Sequence, residues 1–145
     1  MSHVETVKVT ILDLKALKAA CIRLGVEFRE GQTTYAWFGR SVGDYKIPDG
    51  MTGADLGHCS HAIHVKGVEY EVGLVAKKDG KPGYTLAYDF WGPGQGLLKK
   101  FGKTLGELVN AYTAEVLKAK ARAKGYVVRE ESVAGKIKIY VTGIR

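Results

Sequence analysis

Cysteine is scarce in this chain: among 145 residues there are two, Cys21 and Cys59, standing far apart. Two distant thiols make no disulfide framework, which excludes a stapled secreted scaffold and leads us to expect a cytoplasmic protein with reduced thiols. Long apolar runs are missing too; none approaches the ~20 residues of a membrane span. The opening Met1-Ser2-His3-Val4-Glu5 has neither the basic start nor the apolar stretch of a signal peptide, so no membrane partner is expected. Internal repeats and low-complexity tails are absent. What is present is ordinary: 46% hydrophobic and 26% charged residues, which excludes an unfolded chain. The length suits one domain, 1–145, that buries a core without a metal or disulfide staple.

Acidic charge is the other shortage, and it is local. Residues 1–95 hold 11 Lys/Arg against 11 Asp/Glu, whereas residues 96–145 hold 11 against 4, so the whole net charge of +7 lies in the last third. A localised excess attracts anions such as nucleotides, nucleic acid or an acidic partner; a solvated helix face is the plainer alternative.

Residues 7–11 alternate apolar and polar, as a half-buried strand does. Asp13 then caps a helix carrying Leu14, Leu17, Cys21 and Leu24 at helical spacing, and Gly25 stops it. Residues 26–30 alternate again, and residues 33–38 are rich in strand formers. Order fades over residues 39–57, where five glycines and Pro48 form a long glycine-rich loop. Loops of that length are functional or mobile, and we expect this one to order on a ligand. Residues 61–66 and 68–77 read as strands joined at Gly67. Asp79-Gly80 marks a hairpin, and residues 84–91 form a strand with Leu86 and Tyr88 on one face and Ala87 and Asp89 on the other. A helix is expected from the capping-box pattern Thr104-Leu105-Gly106-Glu107 to Lys124, stopped by Gly125. Residues 126–131 and 136–141 close the chain as a hairpin across Ala134-Gly135, with Ile137, Ile139 and Val141 as its buried face. The fold class is α+β: two layers, an antiparallel or mixed sheet with two helices packed on one face.

Several motifs bear on chemistry. Gly92-Pro93-Gly94-Gln95-Gly96 lies where backbone N–H groups at a helix start can cradle phosphate, or where a tight turn needs glycine geometry. Gly102-Lys103-Thr104 resembles the end of a P-loop, but Leu97 stands where the motif needs glycine, which excludes that NTPase signature. Position 99 is Lys, so the dinucleotide pattern fails as well. His58, Cys59, His61 and His64 sit together in sequence; an odd separation puts His61 and His64 on opposite strand faces, which argues against a metal site. Cys59 beside His58 or His61 leaves a small hydrolase, using Cys59 or a histidine, as an alternative. Asp89, a lone carboxylate, is expected to hold a backbone turn or Lys99 rather than to do acid–base work.

The candidate ligand-binding residues are Tyr35, Trp37, Arg40, Tyr45, His61, Trp91, Lys99, Lys100 and Lys103. Aromatics interleaved with cations stack bases and hold phosphates, and both tryptophans border irregular segments, where ligand sites form. No catalytic residue, metal or cofactor is expected. The reading is a non-enzymatic binder of an anionic small molecule or nucleic acid; an adaptor docking on a larger protein and self-association of the chain stay open beside it.

The Met1-Ser2-His3 start, His61-Ala62-Ile63, Tyr70-Glu71-Val72-Gly73, Asp89-Phe90-Trp91 and the long helix through Gly125-Tyr126 with its closing hairpin together resemble one family. It is the uncharacterised chloroplast-ycf-thirty-five-like family, found in cyanobacteria, plastids, other bacteria and bacteriophages. The resemblance spans nearly the whole chain apart from residues 37–57. It implies a small intracellular protein and brings no accepted activity, cofactor or catalytic residue. In a phage setting, sequestering a host nucleotide signal would suit such a protein.

Overall fold

The computed structural model describes residues 3–40, 43, 45–134 and 136–143; Met1-Ser2, three residues of the long loop (Ser41, Val42, Asp44), Gly135 of the closing turn, and the last two residues lie outside the described residues. Strand β1 (Val4–Ile11) leads into helix α1 (Leu14–Leu24), which crosses to the far edge of the sheet and delivers β2 (Glu27–Glu30). The chain then meanders back through β3 (His61–His64), β4 (Val72–Ala76) and β5 (Tyr84–Asp89), and β5 pairs with β1. The order is β1-β5-β4-β3-β2, with every neighbouring pair antiparallel. The fold is therefore α+β. Among the described residues no helix is long and apolar enough to cross a membrane.

Local chemistry sets the ends of α1. The Asp13 carboxylate accepts from the Ala16 N–H at 3.0 Å, and Gly25 takes the left-handed conformation (φ 70°) that closes the last turn. The short helix α2 (Gln95–Phe101) and the long α3 (Gly106–Ala123) lie with α1 on one face of the sheet. There Ile11, Leu17, Ile63, Leu74, Leu86, Phe101, Leu105 and Leu108 are fully buried together. The Tyr112 hydroxyl, from α3, accepts from the N–H groups of Leu12 and Asp13 at 3.0 and 3.2 Å, tying α3 to the start of α1.

The helix entry departs from the capping-box expectation. Thr104 and Leu105 both adopt positive φ (53° and 57°), and the Thr104 hydroxyl bonds the Lys103 carbonyl instead of capping α3. The kink lets Leu105 follow Phe101 into the core. Residues 33–38 are not a strand: beyond one bridge between Thr34 and His58, the N–H groups of Ala36 and Phe38 are taken by buried carboxylates, as described below. The strands around Gly67 are also shorter than expected, because Val65–Glu71 turns to bring the Glu71 N–H to the Ala36 carbonyl at 2.9 Å.

The 33–59 stretch instead covers the second face of the sheet. Tyr35 lies on Gly73, where an added Cβ would fall 2.3 Å from its ring, and packs with Ala62, Val75 and Ala87; Trp37, Met51 and Cys59 border this smaller cluster. The closing hairpin, β6 (Val127–Val133) with β7 (Lys136–Thr142), is a separate two-stranded sheet against α3. Its expected buried face is only partly covered: Ile137 and Ile139 are half-buried against α3, and Val141 is 48% exposed. Charge fastens the other strand. Arg23 of α1 bridges Glu115 and Glu130, and Lys118 reaches the same two carboxylates at 2.9 and 2.8 Å.

Candidate ligand-binding rim

Two buried carboxylates shape the covered face. Asp89, fully buried at the end of β5, accepts three backbone N–H bonds: from His3 and Trp91 on one oxygen, both at 3.0 Å, and from Phe38 on the other at 3.1 Å. Glu71 accepts from the Ala36 N–H at 3.0 Å and the Gln32 amide at 2.9 Å, and pairs with Arg29 at 3.1 Å and His64 at 3.3 Å. A carboxylate buried without such partners would be costly; these two are satisfied by pinning an irregular segment. Asp89 thus holds a backbone turn, as its place at the strand end suggested. The glycines after it serve packing, since a Cβ on Gly94 would fall 1.7 Å from the Asp89 carbonyl oxygen and one on Gly96 would meet Val68 at 2.9 Å.

By drawing three chain segments together, Asp89 assembles a ring cluster at this end of the sheet. The His3 ring lies 5.2 Å from Tyr45 and 5.3 Å from Phe90, and Tyr45 meets Phe90 edge-on at 5.3 Å. Trp91 stands 6.4 Å from both His3 and Phe38, and the Arg40 guanidinium lies 5.6 Å over the Phe38 ring. Trp91 and Tyr45 stay 39% and 40% exposed, and Arg40 is exposed. From Tyr45 a cleft of about 430 Å³ runs between Val4, Glu5 and Thr6 of β1 and the stretch from Lys46 to Asp49. Through Thr6 and Asp49 it adjoins a second hollow of about 370 Å³ that ends at Lys77 and Lys78.

Of the residues singled out from sequence, the structure brings Arg40, Tyr45 and Trp91 together and separates the rest. Tyr35 does not face a ligand: it is 2% exposed, and burial pushes its hydroxyl up to about 12. Trp37 is half-buried over Gly57, where a Cβ would fall 2.2 Å from the indole nitrogen. His61 is a structural contact, its Nδ1 accepting from the Gly31 N–H at 2.9 Å and its ring packed between Phe28 and Tyr84. Lys99 and Lys100 end α2 and Lys103 follows it; all three are exposed and outside the ring cluster.

The histidine-rich stretch is dispersed. His61 faces the helices while His64 reaches Glu71 on the other side, and among the described residues no three His, Cys, Asp or Glu side chains converge. The Cys59 thiol donates to the Gln32 carbonyl at 3.2 Å; burial, with the Glu71 charge adding to it, pushes the thiol up to about 11, so it stays protonated at neutral pH and is a poor nucleophile. Sequence reasoning missed His3, Phe38, Phe90 and Glu71. The signal available for Glu71 was a carboxylate inside the apolar run Tyr70 to Val75; the rings could be joined only by the fold.

No family model, curated protein or solved structure matches the chain, so the resemblance noted above rests on its short motifs.

Proposed function

We propose that this chain is a non-enzymatic binder of an anionic, base-bearing ligand, a nucleotide or nucleic acid, at the rim formed by Arg40, Tyr45 and Trp91. The observation that supports this is their convergence: Arg40 and Tyr45 from the long loop and Trp91 from the end of β5 all stay exposed around one ring cluster, and Tyr45 opens onto the cleft beside β1. A base stacked on an exposed aromatic face gains about 1–3 kcal/mol and is tolerated whatever its identity. Arg40 and Lys46 would meet phosphate, with Lys46 leaving its exposed partner Asp49 (3.3 Å) at little cost. The basic excess of the last third supplies a steering field. Lys99, Lys100, Lys103, Lys120, Arg122 and Lys124 are exposed and make no ion pair among the described residues, so internal pairing does not cancel it.

Titration with a nucleoside triphosphate and with a short single-stranded oligonucleotide, at two salt concentrations, tests this. Trp91→Ala and Arg40→Ala should each weaken binding tenfold or more. Lys99→Glu with Lys103→Glu should weaken it less, with an effect that fades in high salt. Unchanged affinity in a folded Trp91→Ala protein would remove the rim from the site.

A further inference from the structure

The rim leaves the closing hairpin unexplained. Between α3 and β7 lies a cleft of about 380 Å³, floored by Ala114, Leu117, Ile137 and Ile139 and edged by Lys136. Leu117 is 50% exposed there. No residue of β6 lines the cleft, and among the described residues β7 has a strand partner on one side only, so the cleft opens along an unpaired strand edge. Backbone N–H and C=O groups along such an edge are a template for another strand.

The side chains of β7 state what that strand would be. Lys136, Lys138 and Tyr140 point to one face, and Ile137 and Ile139 to the other, over α3. A strand added beside β7 sets a side chain opposite each of these. Its residues beside Ile137 and Ile139 would enter the apolar cleft, and those beside Lys136 and Lys138 would meet cations with no partner among the described residues. A second copy of β7 would put lysine against lysine, and the carboxylates nearest by are engaged: Glu130 by Arg23 and Lys118, Glu131 by Arg129 and Tyr140. We infer that β7 is a docking edge for an extended segment of another protein in which acidic and apolar residues alternate, bound by strand addition with its apolar residues in the α3–β7 cleft.

The test uses the full chain and a dye-labelled ten-residue peptide alternating Glu with Val or Ile, followed by fluorescence anisotropy. The control has the same composition sorted into an acidic block and an apolar block. The alternating peptide should bind, the blocked one at least tenfold more weakly. Lys136→Glu with Lys138→Glu, and separately Leu117→Ser, should each weaken binding tenfold or more while thermal melting stays unchanged, these side chains being exposed. The β7 amides that point away from β6 should gain protection from hydrogen exchange when the peptide is added. Equal binding of both peptides, unchanged affinity in either variant, or a dimer in sedimentation that Leu117→Ser abolishes would each overturn the proposal.

Discussion

The two faces of the five-stranded sheet are built by different means. Along β4, Val72 and Leu74 face the helices while Gly73 and Val75 face the irregular 33–59 cover. The helical face is closed by large aliphatic side chains interdigitating, a bond without direction that any well-spaced apolar stripe can supply. The covered face is lined by small residues, Ala62, Gly73 and Ala87, on which a single tyrosine lies flat, and its cover is held by directional bonds to Glu71 and Asp89. One face makes the fold stable. The other holds an irregular segment, with Arg40 and Tyr45, beside Trp91 at the end of β5.

Breaking each face in turn sharpens that contrast. Leu74→Ala removes a fully buried side chain from the helical face and should cost about 2–5 kcal/mol, read from denaturant unfolding. A cost under about 1 kcal/mol would show that the helices pack loosely. Asp89→Asn keeps the shape but replaces two charged acceptors with one neutral carbonyl for three N–H donors, one of which would face the new amide. About 2 kcal/mol should be lost, and Trp91 fluorescence should shift toward that of a solvated indole. Gly73→Ala drives a Cβ into the Tyr35 ring and should cost about 1–2 kcal/mol, less than Leu74→Ala, because the cover can lift. Near-ultraviolet dichroism should change more than the melting temperature; the reverse would make the cover part of the main core.

The smallest effect concerns the hairpin. Bonds from Arg23 and Lys118 hold the Glu130 carboxyl at about 2, well below the usual carboxylate value of 4.5. A folded-state value depressed in this way contributes stability that is complete above the unfolded value and is lost as pH falls through the folded one. Protection of the β6 amides, taken relative to the intrinsic exchange rate at each pH, should therefore fall between about pH 4.5 and 2, and Glu130→Gln should remove most of that acid sensitivity. An identical profile in the variant would assign the hairpin's attachment to Ile137 and Ile139 alone.

The helical face was legible because periodicity reports it. The spacing of Leu14, Leu17 and Cys21, the Asp13 cap and the Gly25 stop are local signals, and the structure repeats each of them. The β5 alternation likewise separated Leu86 and Tyr88 from Ala87 and Asp89. The covered face was not legible. Thr-Thr-Tyr-Ala-Trp-Phe has strand-forming composition, and only long-range bonds, from Ala36 to Glu71 and from Phe38 to Asp89, tell that it forms no ladder. Of the ring cluster, Tyr45 and Trp91 were visible as aromatics beside glycine-rich loops, whereas the meeting of the rings at Asp89 depends on the start of β1, the end of β5 and residues 36–38 arriving at one point. Tyr35 and Trp37 share the composition of Tyr45 and Trp91 and differ only in having Gly73 and Gly57 beneath them.

The central claim, that the Asp89-assembled rim takes a base-bearing anion, is tested most directly at the two indoles. The chain has two tryptophans, so a nitrogen-15 spectrum carries two indole N–H signals, assigned by Trp37→Phe. On titration with a nucleoside triphosphate or a short single-stranded oligonucleotide, the Trp91 signal should move saturably while the Trp37 signal, over Gly57, stays nearly still, and Arg40→Ala should abolish the movement. A Trp91 signal that stays fixed up to millimolar ligand of both kinds would contradict the account.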